Sequence, residues 1–244
     1  MKGTLFLIPN ALGTCALEEV LPENVRLITA NLDYFIAENA KTARAFLNQI
    51  AHSHPLRVRL QDIEIRELNV NTPASALPDL LAPLLAGRDG GLVSEAGVPA
   101  VADPGAELVR LAHAKEIRVR PLVGPSSILL ALMSSGLSGQ QFAFHGYLPT
   151  DTLQRAHRIR QLEQRSKQEA QTQIFIETPY RNEALLQALV TECRPGTEIC
   201  VATHLTLADE SVRRFSAQAW KREITEGRMP DFRKKPTVFL LMAP

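Results

Sequence analysis

Short apolar runs alternate along this chain with longer segments of helical periodicity, and that alternation restricts it to a mostly parallel α/β architecture. Leu5–Ile8 reads as a buried first strand closed by Pro9, and Val25–Ala30 as a second strand. Ala37–His52 carries Ala40, Ala43, Phe46, Leu47 and Ile50 at helical spacing. Arg57–Leu68 alternates apolar and charged side chains and fits either an edge strand or an irregular connection. Ala74–Ala86 reads as a helix interrupted by Pro78 and Pro83. Gly90–Val93 is the next buried strand. Pro104–Lys115 reads as a helix with Asp103 at its N-cap and Pro104 in its first position. Ile117–Val123 is another strand, followed by an apolar helix that runs to Ser135. Phe142–Tyr147, Gln173–Thr178, Glu198–Leu205 and Thr237–Ala243 have strand character, with helices Thr152–Ala170 and Asn182–Cys193 between them. Two α/β domains are expected, residues 1–120 and 121–244.

Composition excludes several classes of function. The 27 Lys and Arg against 26 Asp and Glu leave a net charge of +1, so a nucleic-acid contact has to come from a local patch. Aromatic residues make up 5% of the chain, too few for an extended stacking platform. Cys15, Cys193 and Cys200 are odd in number and widely spaced, which suits reduced thiols in a cytoplasmic protein. No stretch reaches the ~18 apolar residues of a membrane span. No His/Asp/Glu cluster has metal-ligand spacing, so no metal is expected.

Three apolar strands end in small, sharply turning segments: Pro9–Gly13, Ser94–Pro99 and Gly124–Ser127. In open α/β sheets ligands sit outside the carboxyl ends of the strands, where glycine lets the backbone approach closely. None of the three is a phosphate cradle: GxxxxGK[ST] is absent, and no GxGxxG follows the first strand. A GxSxG nucleophile elbow is missing as well. Three such turns converging on one cleft define a ligand site without naming the ligand.

The run LVSEAGVPAVADPG, residues 92–105, resembles the VSDAGTPxxxDPG signature of the ribosomal RNA small-subunit methyltransferase I family, a branch of the tetrapyrrole-methylase superfamily. Further likenesses follow in order. GTLFLIPNALG (3–13) is similar to the family's opening strand and TPIGN turn, IAENAK (36–41) to AAEDTR, and PLVGPSSILLAL (121–132) to PxPGPSAxxxAL. FHGYLP (144–149) is similar to FxGFLP, IFIETPYR (174–181) to IFYESPHR, and VATHLTLADE (201–210) to VARELTKxxE. The resemblance implies a two-domain fold, with a parallel-sheet N-terminal domain, a mixed-sheet C-terminal domain and the cofactor cleft between them. It implies a homodimer, S-adenosylmethionine as methyl donor, and ribosomal RNA as the acceptor of a 2′-O-methyl group. By position it gives cofactor contacts to Pro9, to Glu95, Ala96, Gly97 and Val98, and to Ser126 and Ser127.

Acceptor-side positions depart from the family pattern. Glu-Asp-Thr-Arg becomes Glu38-Asn39-Ala40-Lys41, and Arg-Glu-Leu-Thr-Lys becomes Thr203-His204-Leu205-Thr206-Leu207. Lysine does not reproduce the planar fork of arginine. A tetrapyrrole or other small-molecule acceptor, or a cofactor-binding relative without turnover, therefore stand as alternatives. Methyl transfer needs in-line positioning, and proton removal when the acceptor is a hydroxyl. Glu38, Glu95, Glu177, Tyr180 and Arg181 are the polar candidates; His145 and His204 read as structural. The basic run on helix Thr152–Ala170 is interleaved with Glu163 and Glu169 and reads as a solvated face.

Overall fold

The computed structural model describes all 244 residues, in two compact units, Met1–Ser126 and Ser127–Pro244. Residues 121–126 belong to the first unit, because the strand Arg118–Pro121 pairs along the first strand of the chain.

Unit 1 is built on five parallel strands, β1 (Thr4–Ile8), β2 (Tyr34–Ala37), β3 (Glu64–Glu67), β4 (Gly90–Val93) and β5 (Arg118–Pro121), in the order β3-β2-β4-β1-β5. Its helices are α1 (Leu17–Val20), α2 (Glu23–Ala30), α3 (Ala40–Ser53), α4 (Leu77–Leu85) and α5 (Gly105–Ala114). Alternate strand residues supply two separate cores. Phe6, Ile8, Phe35 and Val93 pack with Leu17, Leu21, Phe46, Leu47 and Ile50. Leu5, Tyr34, Ile36 and Leu92 pack with Leu80, Leu81, Leu84 and Leu108. Burial on both faces is why β1, β2 and β4 read as unbroken apolar runs.

Three local expectations are corrected. Val25–Ala30 lies in α2, with Val25, Thr29 and Ala30 buried along one face, because a short apolar run does not distinguish a strand from a helix. The second strand is β2, so α3 begins at Ala40 and not at Ala37; Asn39 caps it by accepting from the Lys41 and Thr42 N–H groups. Asp103 lies one residue outside the cap of α5, which Pro104 occupies, and its carboxylate accepts from the Ala100 and Gly105 N–H groups. The ambiguous 57–68 segment resolves into a short 3₁₀ turn and β3, whose charged residues suit a sheet edge.

Unit 2 carries the mixed sheet β6-β7-β10-β8-β9: β6 (Phe142–Tyr147), β7 (Thr172–Glu177), β8 (Glu198–Thr203), β9 (Ser211–Ser216) and β10 (Thr237–Met242). Only β6 and β7 run parallel; every other pairing is antiparallel. Its helices are α6 (Ser127–Ser135), α7 (Thr152–Glu169), α8 (Asn182–Glu192) and α9 (Ala217–Thr225). Phe175, Phe239 and Val201 pack on one face of the sheet with Leu185, Leu186, Leu189 and Trp220. β9 and α9 lie outside the elements read from the sequence; α9 is amphipathic, with Ala217 and Trp220 on its buried face. No helix is long and apolar enough to cross a membrane.

Candidate functional site

The parallel pairing of unit 1 brings four strand ends to one edge. Ile8 stands beside Val93, Val93 beside Ala37, and Leu7 beside Pro121. The turns that leave these strands therefore start as neighbours although they lie far apart in sequence. Pro9 packs so closely under the turn after β5 that a Cβ on Gly124 would fall 2.2 Å from its Cγ.

Asn10 joins two of the turns. Its N–H donates to the Gly97 carbonyl at 2.9 Å, and its own carbonyl accepts from the Gly97 N–H at 3.1 Å. Its amide reaches the carbonyls of Ser94 (3.4 Å) and Glu95 (3.2 Å). Gly97 makes this possible at φ +72°, in the left-handed region that glycine enters without cost. A side-chain clamp and a backbone pair thus hold Ser94–Pro99 in a fixed shape. Asn10 is a candidate-site residue that the sequence reading does not single out within the turn Pro9–Gly13; its signal is a short polar amide directly after a strand-closing proline.

A groove of about 240 Å³ runs between these turns and the first turns of α3, lined by Asn10–Thr14, Thr42, Phe46, Glu95 and Ala96 among others. Glu95 is the one charged side chain in its lining. Glu95 does not cap backbone N–H groups; its Oε1 accepts from the Thr42 hydroxyl at 2.5 Å. The Glu95 N–H instead donates to Glu38 Oε1 at 3.2 Å. Thr42 is the second residue missed from sequence, one turn into a helix whose start had been misplaced.

Burial pushes the Glu38 carboxyl above the usual glutamate range; the Glu95 N–H opposes this, and the Asp103 and Glu95 carboxylates reinforce it. Because the folded pKa exceeds the unfolded one, the native chain binds the proton more tightly. The resulting stability is complete below the ordinary glutamate pKa and is lost as pH rises through the raised value. Glu38→Gln, which keeps an acceptor for the Glu95 N–H, is therefore expected to melt higher than the parent at pH 7. The difference should shrink when both are scanned at pH 4.

In unit 2 the candidates form a separate arrangement. Glu177, at the end of β7, is 4% exposed. Its Oε1 accepts from the Thr178 N–H at 2.7 Å and from Arg181 Nε and Nη2 at 3.0 and 2.6 Å. Oε2 is buried without a donor, an omission that costs on the order of 1–3 kcal/mol. Tyr180 is exposed. His145 is held between Gln173 and Arg158, and His204 between the loop backbone and Asp209, which fits structural roles. Along α7, Arg160 pairs with Glu192 and Arg165 with Glu169. Of the remaining cofactor candidates, Pro9 is buried, Val98 is half-buried and Ala96 is exposed on the turn. Ser126 closes unit 1 and Ser127 opens α6.

The family model described as Tetrapyrrole (Corrin/Porphyrin) Methylases matches residues 12–219. A protein of Halalkalibacterium halodurans named Ribosomal RNA small subunit methyltransferase I is 32% identical over 92% of this chain and 73% of its own. A Synechocystis protein of the same name is 32% identical over 92% of this chain and 75% of its own. Among solved structures, the methyltransferase CobJ superposes with a TM-score of 0.63 at 17% identity, covering 99% of this chain and 94% of that one. The cobalt precorrin-4 methyltransferase CbiF gives 0.59 at 13% identity, covering 98% and 94%. At those identities the superpositions speak for the fold, a parallel-sheet unit followed by a mixed-sheet unit. The sequence match is what carries descent, and by it this chain belongs to the tetrapyrrole (corrin/porphyrin) methylases and is a methyltransferase.

Proposed function

We propose that this methyltransferase draws its methyl group from S-adenosylmethionine and delivers it to a ribose 2′-hydroxyl of ribosomal RNA. The observation that carries the donor is the clamped turn Ser94–Pro99, whose groove has a carboxylate and no cation in its lining. Such a lining disfavours phosphate and suits a ligand with an ammonium and a sulfonium. At about 240 Å³ the groove is below the ~300–1,000 Å³ of complete small-molecule sites, so it takes part of the ligand. In this reading Pro9, Glu95, Ala96, Gly97, Val98, Ser126 and Ser127 hold the donor, chiefly through backbone groups. The bound donor supplies an electrophilic methyl group on sulfur.

The chain's own residues position and handle the proton. Glu38, whose carboxyl burial raises above the usual range, is the proton acceptor in this reading, and Glu95 lies beside it with its carboxylate bonded to the Thr42 hydroxyl. Glu177 and Arg181 act as a paired polar element on the acceptor side. The RNA acceptor is supported by the names of the curated relatives and by the ordered motif likeness. It brings with it a cytoplasmic location, and the resemblance brings a homodimer. A tetrapyrrole or other small-molecule acceptor is the second reading, favoured by the departures from the family pattern at Glu38–Lys41 and Thr203–Leu207.

Calorimetric titration with S-adenosylmethionine should show saturable binding, and no heat at millimolar ligand removes the donor assignment. Labelled methyl transfer is then expected into small ribosomal subunits from cells lacking this enzyme. Label entering a tetrapyrrole fraction instead transfers the assignment to the second reading.

A further inference from the structure

Antiparallel register gives the sheet of unit 2 two distinct edges. At one, Thr237 opens β10 opposite Glu177 and Thr203; at the other, Met242 closes it opposite Glu198. The strand between Thr237 and Met242 sets these edges about 17 Å apart. The unpaired acceptors of the first edge, Glu177 Oε2 and Asn182 Oδ1, are buried. An opening lies at the second edge instead, a groove of about 840 Å³ between α7 and the turn from α8 to β8. That volume falls within the ~300–1,000 Å³ of small-molecule sites.

Helical spacing and one buried carboxylate build the groove. Arg160, Glu163 and Lys167 recur at three and four residues, so they share one face of α7 and line one wall. Glu163 is 7% exposed, and its Oε1 accepts from the Arg194 N–H at 2.6 Å and from the Thr197 hydroxyl. Those bonds fasten the turn 194–197 to the helix and fix where Arg194 leaves the opposite wall. The charges are unevenly matched. Arg160 pairs with Glu192 at 3.1 Å. Lys167, two helical turns further and about 10 Å along the axis, is exposed and enters no ion pair. The exposed Arg194 guanidinium enters none either. Glu163 is the carboxylate nearest them in sequence and bonding, and two donors already engage its Oε1. A lysine and an arginine left unmatched across a groove select an anion, and phosphate accepts from both a point charge and a planar fork.

We propose that this groove, at the sheet edge opposite Glu177, is a phosphate-binding site in which Lys167 and Arg194 hold the phosphate of a phosphate ester. Two sources share that chemistry: a backbone phosphate of RNA remote from the reacting nucleotide, or a free phosphorylated metabolite. The site goes beyond the proposed methyl transfer and does not depend on which acceptor is correct.

Calorimetry on the full chain at low salt tests it with two probes, ribose 5-phosphate and single-stranded oligouridylate. Saturable binding of at least one is expected. Comparable affinities name a free phosphorylated ligand, whereas oligouridylate bound alone or much more tightly names the RNA backbone. Lys167→Ala combined with Arg194→Ala should weaken the bound probe roughly tenfold or more, the worth of one charge-assisted hydrogen bond or two. Its S-adenosylmethionine affinity and melting temperature should stay at the parental values. Lys221→Ala combined with Arg222→Ala removes the same charge from exposed positions on α9 and should leave probe affinity unchanged. Parental affinity in the Lys167 and Arg194 variant overturns the site. An equal loss in the α9 variant also overturns it, since the attraction would then be unspecific. If neither probe binds while S-adenosylmethionine does, the site falls and the methyl-donor reading stands. Probe binding lost with Lys167 and Arg194, in a chain that does not bind S-adenosylmethionine, upholds the site and removes the donor reading.

Discussion

Gly97→Val is expected to abolish useful methyl-donor binding, weakening it at least tenfold (about 1.4 kcal/mol), while the chain stays folded. Gly97 is buried at φ +72°, and a Cβ there would stand 3.2 Å from Leu12 Cδ2. For an L-residue the left-handed region costs roughly 1–2 kcal/mol, and a β-branched side chain is the least tolerant of it. Relief requires rotating the peptide, which breaks the paired hydrogen bonds between Asn10 and Gly97. Once they break, the Asn10 amide no longer holds the carbonyls of Ser94 and Glu95 in place. The groove wall is lost, but the sheet beneath it ends at Val93 and keeps its own pairing. Calorimetry with S-adenosylmethionine beside a thermal melt tests this. Unchanged affinity with a lowered melting temperature would make the turn structural and exclude it from the donor site.

Trp220→Ala is expected to destabilise unit 2 by about 3–5 kcal/mol, the largest single effect on stability foreseen in this chain. Trp220 is fully buried and meets Phe215 edge-to-face at 5.1 Å and 84°. Its Nε1–H donates to the Ile199 carbonyl at 2.9 Å, and the Arg213 guanidinium lies 5.0 Å from the ring centroid. Truncation leaves a cavity under α9 and removes the indole donor from the Ile199 carbonyl, beside the antiparallel edge made by β9. Trp220→Phe retains most of the packing and loses the donor, so about 1 kcal/mol is expected for it. Urea titration followed by far-UV circular dichroism measures both. Because Trp220 is the sole tryptophan, fluorescence of the parent reports unit 2 alone. A loss below 1 kcal/mol for the alanine variant would mean that this corner is not part of the unit's cooperative core.

The two predictions differ in how far sequence alone could have led to them. Gly97 stood out as part of a glycine/proline turn after the apolar run Gly90–Val93, and its motif companions pointed to a methyl-donor loop. Asn10 and Thr42 did not stand out, because their roles depend on partners 84 to 87 and 53 residues away. Trp220 lies in a short amphipathic helix of nine residues, and its burial depends on β8 and β9, which bring Ile199 and Phe215 against it. The strand assigned to Val25–Ala30 failed for a related reason: six residues contain too few repeats to separate a period of 3.6 from one of 2.

What the sequence determined by itself is local and repetitive: apolar runs long enough for strands, helical stripes between them, and small residues where the chain turns. Those patterns, with the motif order along the chain, were sufficient for a parallel α/β unit, a mixed-sheet unit and a methyltransferase. Only the tertiary structure decided which polar groups end up paired. Strand register sets Glu177 beside Thr237 and brings the ends of β1, β2, β4 and β5 together. Register depends on long-range packing, so the clamp at Asn10, the Glu38–Glu95 contact and the two unpaired acceptors at Glu177 and Asn182 have no counterpart in any local stretch of residues.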